Sequence, residues 1–199
     1  VELHLSLAPG VADTSGWRER SLAGRTGCGL CGVRALAAAI RWPAPVPDTL
    51  RLAPATLDDA LARLPTGQAL HALTGSVHAA AWVREDGEIF AVREDVGRHN
   101  ALDKLLGAVL RAGLDVSRGF ALVSSRASYE MVQKAAQCGV QLLVAVSAPT
   151  AMARRVAQSA GLTLAAFARS GRHTLYTHPH RLELEGRQSL EHRTHRSPP

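Results

Sequence analysis

The sequence predicts a three-layer α/β domain with a mostly parallel sheet, and three observations carry that expectation. From Val77 onward, short apolar segments alternate with segments whose apolar residues fall at helical spacing. The helical segments stop at Gly113, Gly139 and Gly161, the residue type that closes a helix at least cost. The junctions between strand-like and helix-like segments are rich in hydroxyl and Arg side chains. In α/β sheets such junctions lie at the carboxyl ends of strands, where helix N-termini face a ligand.

Taken in order, Val1, Leu3, Leu5 and Leu7 alternate as on a strand. A polar, Gly-rich loop follows from Ala8 to Arg25, then an Ala-rich, helix-prone segment from Val33 to Ile40. Pro43, Pro45 and Pro47 make a connector. Thr56-Leu57-Asp58-Asp59 reads as a helix start running to about Leu64, and Gln68 to Leu73 as a second helical piece closed by Gly75. Val77–Val83 and Ile89–Arg93 flank Glu85-Asp86-Gly87-Glu88, a hairpin signal. Arg98–Arg111 carries Ala101, Leu102, Leu105, Leu106 and Val109 on one helical face. Strands are expected at Phe120–Val123, Leu142–Val146 and Leu162–Phe167, and helices at Ser128–Cys138 and Thr150–Ala160. The polar stretch after Glu183 reads as a disordered tail. The organisation expected is residues 1–66 as strand, Cys-containing loop and connector helices, 67–182 as the main domain, and 183–199 as the tail.

Composition narrows the function classes. The 199 residues are 46% hydrophobic and 20% charged, as in globular domains. No apolar run approaches the roughly 20 residues that span a bilayer, and the opening lacks the basic-then-apolar pattern of a secretion signal. The opening reads as the interior of a longer protein. A cytoplasmic protein without a membrane partner is expected. The net charge of +6 favours an anionic partner: nucleic acid, a phosphorylated cofactor or an acidic protein. The Arg residues are scattered, and the few aromatics do not interleave with them, which argues against a nucleic-acid stacking platform. GxGxxG, P-loop and HExxH motifs are absent from the sequence.

Three cysteines, Cys28, Cys31 and Cys138, are too few and too odd in number for a disulfide framework. Cys28 and Cys31 form a CxxC pair among Gly24, Gly27, Gly29 and Gly32. A helix expected just after Cys31, with Arg25 nearby, favours a thiolate there. The motif by itself is compatible with a metal site, a redox pair or a sulfur carrier; a zinc site commonly needs a second such pair. Cys138 reads as a small buried hydrophobe.

Arg93-Glu94-Asp95-Val96-Gly97-Arg98-His99-Asn100 spans the end of one strand and the start of a helix. Helix capping by Glu94 and Asp95 accounts for part of it, and a ligand site for the rest. Ser124-Ser125-Arg126, Ser147-Ala148-Pro149-Thr150 and Phe167-Ala168-Arg169-Ser170-Gly171-Arg172 occupy three further strand ends. Each alone is explained by capping. Their recurrence describes a rim of hydroxyls and guanidinium groups suited to several phosphates.

These blocks resemble the formate dehydrogenase accessory sulfurtransferase (FdhD) family. The resemblance is carried by Thr26 to Gly32, Arg93 to Lys104, Ser125 to Ala135 and Ala145 to Thr150, and extends to Gly161–Leu164 and Tyr176–Pro179. It implies a cytidine-deaminase-like mixed sheet flanked by helices, with a mobile Cys-containing loop, in a cytoplasmic homodimer whose N-terminal region is longer than here. It implies a sulfurtransferase. Sulfane sulfur comes from a cysteine desulfurase, rides on Cys28 as a persulfide with Cys31 assisting, and passes to molybdenum bis(molybdopterin guanine dinucleotide) for formate dehydrogenase. That guanine-nucleotide-containing cofactor is expected at Phe167, Ala168, Arg169, Ser170, Gly171 and Arg172, with Arg98, Ser125, Arg126, Ser147 and Thr150 completing the rim. The deaminase zinc is not expected, because the helix beginning near Arg126 has no Cys at its start. The alternatives are a cofactor-holding chaperone without sulfur transfer and a zinc-stabilised nucleotide-binding protein. Direct transfer requires the loop from Arg20 to Gly32 to lie on the side of the sheet carrying Arg98, Ser125 and Arg172.

Overall fold

The structure, a computed structural model, describes residues 42–182. The N-terminal strand, Cys28, Cys31 and their loop, and the tail lie outside the described residues. Helix α1 (Pro54–Arg63) opens with Pro54 in its first turn, where the missing N–H costs nothing, two residues ahead of the expected start. A 3-10 turn (Leu64–Gly67) and the short α2 (Ala69–Thr74) follow, closed by Gly75 at φ 62°. Strands β1 (His78–Arg84) and β2 (Ile89–Asp95) form the expected hairpin, with Gly87 at φ 85°. Then come α3 (Arg98–Arg111), β3 (Gly119–Val123), α4 (Tyr129–Gln137), β4 (Leu142–Ala145), α5 (Ala151–Ser159), β5 (Thr163–Arg169) and β6 (Arg172–Thr177).

The strands form one sheet in the order β2-β1-β3-β4-β5-β6. Only the β3–β4 and β4–β5 pairs are parallel; β1 runs antiparallel to both neighbours, and β6 to β5. The sheet is therefore mixed, and the expectation of a mostly parallel one is corrected. Short connections impose this, because a tight turn joins only antiparallel strands. Asp86-Gly87 makes one such turn and Ser170-Gly171 the other, with Arg169 paired to Arg172 across it. Strand β6 was not anticipated. It is a polar edge strand, partly exposed along its length, and lacks the apolar run that marks β3 or β4.

Both faces of the central strands are covered. Ala79, Ala81, Phe120, Leu122, Val144 and Ala165 pack under Leu57, Ala60 and Leu64 of the α1 segment. The alternate residues, Trp82, Ala121, Leu143 and Leu164 among them, are buried on the opposite face. There α3 packs on β1 and β2, α5 packs on β5 and β6, and α4 lies against both helices. Double coverage explains why these strands read as continuous apolar runs. The chain entering at Val46–Leu52 is tied down by two buried polar side chains. Gln141 Oε1 accepts from the N–H groups of Thr49 and Leu50. Arg181, 1% exposed, donates to the carbonyls of Gly161 and Pro47 and pairs with Asp48.

Gly119 marks a close approach within the sheet: a Cβ there would lie 2.6 Å from Val83 O and 2.8 Å from Trp82 Cζ2. Neither the strand backbone nor the buried indole can withdraw. Gly119→Ala should destabilise the fold by about 1–3 kcal/mol, read from the urea midpoint at unchanged slope.

Candidate functional site

The carboxyl ends of β2, β3, β4 and β5 lie along one edge of the sheet, together with the start of the antiparallel β1. Helices α3, α4 and α5 all begin there. A cavity of about 600 Å³ opens at this edge. Leu61, Leu64 and Pro65 form its wall on the α1 side, Val77 and Val146 line its floor, and Gln68, His71, His78, Ser124, Arg169 and Ser170 supply its polar groups.

Strand β5 is bulged where it reaches the cavity: Ala166 pairs with Thr174, but the next pair is Arg169 with Arg172. Phe167 sits in the bulge at φ 51°, a conformation that bulky residues rarely adopt, with its N–H donating to Ser147 O. The bulge leaves the Phe167 side chain 47% exposed beside the rim, while Ala168 is buried in the core and lines the cavity. Gly171, at φ 74°, turns the chain into β6, and its N–H donates to Asp58 Oδ1 of α1 at 3.0 Å. Arg169 and Arg172 thus stand opposite one another, both exposed, and neither has an ion-pair partner among the described residues. Like charges in directly opposed positions are destabilising, so this pairing is one that a bound anion would relieve.

At the β1 side of the cavity, burial and the positive charges of Arg98, His71 and Arg126 hold the His78 imidazole below the ordinary histidine range. His71 is fixed through its Nδ1, 3.0 Å from Val77 O. Arg98 buries its Nε without a hydrogen-bond partner among the described residues. Ser124 Oγ accepts from the Ala79 N–H at 2.8 Å.

The acidic groups of the rim are already engaged. Glu94 accepts from the N–H groups of Leu70 and His71, so it caps α2 rather than the helix that follows it in sequence. Asp95 accepts from Lys104 Nζ at 2.5 Å, from the Gly97 N–H and from Asn100, contacts that hold its carboxyl at a pKa of about 2. His99 Nε2 lies 3.1 Å from both Ser128 Oγ and Glu130 Oε2. A nucleophile–base–acid relay needs partners on opposite ring nitrogens. With both on one nitrogen, this cluster instead clamps the N-termini of α3 and α4 together.

Of the residues expected from the sequence, Ala168, Arg169 and Ser170 line the cavity, and Phe167, Gly171 and Arg172 form the adjoining bulge and turn. Arg98 and Arg126 act on His78 through their charge. Ser125 is buried and its hydroxyl donates to Arg126 O, while its neighbour Ser124 takes the place on the cavity wall. Ser147 meets Phe167 through its backbone carbonyl, and Thr150 Oγ1 caps α5 by accepting from the Ala153 N–H at 3.1 Å. Cys138 is half-buried at the end of α4, and burial followed by the nearby Asp103 charge pushes its thiol pKa up, away from nucleophilic reactivity. Ser124 belongs to a junction expected on the rim, but Gln68, His71 and His78 were not anticipated as site residues. They meet only because the α1–α2 segment folds over the strand ends, and their local sequence carries no motif. Among the described residues, no group of three or more His, Cys, Asp or Glu is placed to hold a metal ion, and no helix is long and apolar enough to cross a membrane.

The pattern of the FdhD/NarQ family matches residues 3–183. The chain belongs to that family. It is 55% identical to a sulfur carrier protein FdhD from Cupriavidus necator over 84% of this chain and 58% of that one. It is 50% identical to a sulfur carrier protein FdhD from Xanthomonas euvesicatoria over 92% of this chain and 66% of that one. The chain therefore spans about 58–66% of the length of these FdhD relatives. The crystal structure of a formate dehydrogenase accessory protein from Desulfotalea psychrophila superposes with a TM-score of 0.66 at 28% identity, covering 71% of this chain and 60% of that one. The mixed sheet flanked by helices is thus the fold of an FdhD-type accessory protein.

The depressed pKa of His78 fixes the sign of one pH effect. The folded state favours the neutral ring, so this contribution to stability is complete above the ordinary value of 6.5 and is lost as pH falls toward the depressed folded value. His78→Gln should therefore flatten the fall in melting temperature between about pH 7.5 and about pH 5.5, measured by scanning calorimetry.

Proposed function

We propose that this chain is a sulfur carrier that loads Cys28 with sulfane sulfur and delivers it to molybdenum bis(molybdopterin guanine dinucleotide), the form of the cofactor destined for formate dehydrogenase. Its membership of the FdhD/NarQ family and the names of its relatives support the carrier role. The observation that carries the cofactor half of the reading is the Arg169–Arg172 couple, without an ion-pair partner among the described residues: Arg169 lines the cavity, and Arg172 stands opposite it across the turn that follows the exposed Phe167. Two guanidinium groups without carboxylate partners suit a diphosphate, and an outward-turned phenyl ring suits a flat heterocycle. Arg98 and Arg126 extend the positive charge along the rim, and Ser170 adds a hydroxyl donor.

In the loading step, the Cys28 thiolate attacks the outer sulfur of a cysteine desulfurase persulfide. The donor's S–S bond breaks, a new one forms on Cys28, and the desulfurase cysteine leaves as a thiolate, with no net oxidation. Cys31 is the assisting thiol. The cofactor is the substrate of the second step, anchored through its nucleotide ends on the basic rim. The carrier works as a cytoplasmic homodimer, with the desulfurase and a formate dehydrogenase as its protein partners.

Incubation with a cysteine desulfurase and cysteine should add one sulfur atom to the wild-type chain and none to Cys28→Ala, read by intact-mass spectrometry. If Cys28→Ala gains sulfur, or the wild type gains none, sulfur carriage fails and a cofactor-holding chaperone is the better description. Guanosine diphosphate should bind the wild type, and the Arg169→Ala/Arg172→Ala double variant should lose on the order of 1–3 kcal/mol of that affinity by calorimetry. Equal affinities would remove both residues from the site.

A further inference from the structure

The wall of the cavity contains a largely buried side-chain amide without a hydrogen-bond partner among the described residues. Gln68 joins the 3-10 turn to α2, is only 8% exposed, and lines the cavity. Its backbone is engaged: the N–H donates to Pro65 O at 3.1 Å, and the carbonyl accepts from the Ala72 N–H at 2.9 Å. Its side-chain amide has no hydrogen-bond partner among the described residues, yet it is not one of the polar groups sealed off from solvent. Gln141 is a useful contrast. Also buried, it uses its amide fully, accepting from Thr49 and Leu50 N–H and donating to Thr49 Oγ1 and Ser117 O. Gln141 serves the fold, whereas the Gln68 amide has no such role among the described residues.

A polar side chain more than nine-tenths buried is usually paired within the fold, and a ligand is one reason for an exception. The chemistry of the missing partner follows from the amide itself. It presents an acceptor and a donor side by side in one plane. A phosphate or carboxylate would satisfy only the donor half, and the cavity already offers such groups Arg169, Ser170 and the His71–His78 pair elsewhere. In the lining, Gln68 follows the apolar Leu61, Leu64 and Pro65 and precedes His71. A flat ring carrying a neighbouring N–H and C=O fits both the apolar wall and the amide.

We propose that Gln68 reads the lactam edge of a heterocycle held in this cavity, its Oε1 accepting from the ring N–H and its Nε2 donating to the ring carbonyl. That edge is shared by guanine and by pterin. The assignment rests on the reading of the cavity as the site of a cofactor that contains both rings, and it adds the residue that recognises the ring rather than the phosphates.

Calorimetry separates the two readings. The probes are guanosine diphosphate, 6-hydroxymethylpterin and inorganic pyrophosphate, titrated into the wild-type chain, Gln68→Leu and Gln68→Asn. The leucine variant removes the polar edge at similar volume. The asparagine variant keeps an amide but withdraws it by one methylene, which covers the case of a leucine variant that does not fold. Affinity for at least one ring ligand should fall tenfold or more in the variants, with pyrophosphate affinity unchanged. Loss confined to guanosine diphosphate assigns the guanine ring, and loss confined to the pterin assigns the pterin ring. A parallel fall for pyrophosphate would mark Gln68 as structural and overturn the proposal. Wild-type affinity for both ring ligands in the variants would overturn Gln68 alone and leave the cofactor reading in place. Failure of the wild-type chain to bind either ring ligand would overturn both.

Discussion

Burial of the sheet on both faces is the constraint from which the rest of the molecule follows. Leu122 and Val144 are withdrawn under α1, while Ala121, Leu143 and Leu164 are withdrawn on the side of α3 and α5. A strand dry on both faces has no side chain to offer a ligand along its length. Chemistry is confined to the strand ends, and the parallel β3, β4 and β5 bring their carboxyl ends to the same edge. The antiparallel β1 contributes its first residue, His78, to that edge. The cavity is thus where the layered packing stops.

The electrostatics of the edge follow from which charges the fold consumes. Asp95 is engaged by Lys104, Glu130 by His99 and Ser128, and Glu94 by two backbone N–H groups of α2. Each carboxylate thereby fixes the start of a helix or a turn. Among the described residues the guanidinium groups of Arg169 and Arg172 receive no such partner, and Arg98 and Arg126 add their field at His78. The surplus of positive charge in the composition is therefore expressed locally, because the acids nearby are already employed in holding the backbone.

Periodicity made α3 and the β1–β2 hairpin legible, since a long apolar helical face and an Asp-Gly turn are local signals that tertiary packing did not override. Strand β6 carries no such signal: its Arg172-His173-Thr174 start has no apolar alternation, because an edge strand need not bury a face. The bulge at Phe167 is equally silent in sequence: nothing local requires a phenylalanine to adopt a left-handed conformation, and only the pairing of β5 with β6 reveals it. In the candidate site, Arg169 and Ser170 were legible from their place at a strand end. Ser124 was legible in the same way; Gln68 and His71 were not, because their roles depend on a helix folding back over strands distant in sequence. Glu94 shows the limit of capping rules: it precedes α3 by a few residues, yet it caps α2 across the edge.

The hydrogen bond from the Gly171 N–H to Asp58 bears on how the rim of the cavity is held. It spans from α1 to the β5–β6 turn, two elements that also frame the cavity, and it is exposed to water. A single exposed bond of this kind contributes only about 0.5–1.5 kcal/mol net. Its rupture disturbs neither buried face of the sheet. The bond is therefore cheap to break, whereas the apolar packing behind it is not. The rim of the cavity and the core of the sheet are in that sense held by different forces, one polar and wet, the other apolar and dry.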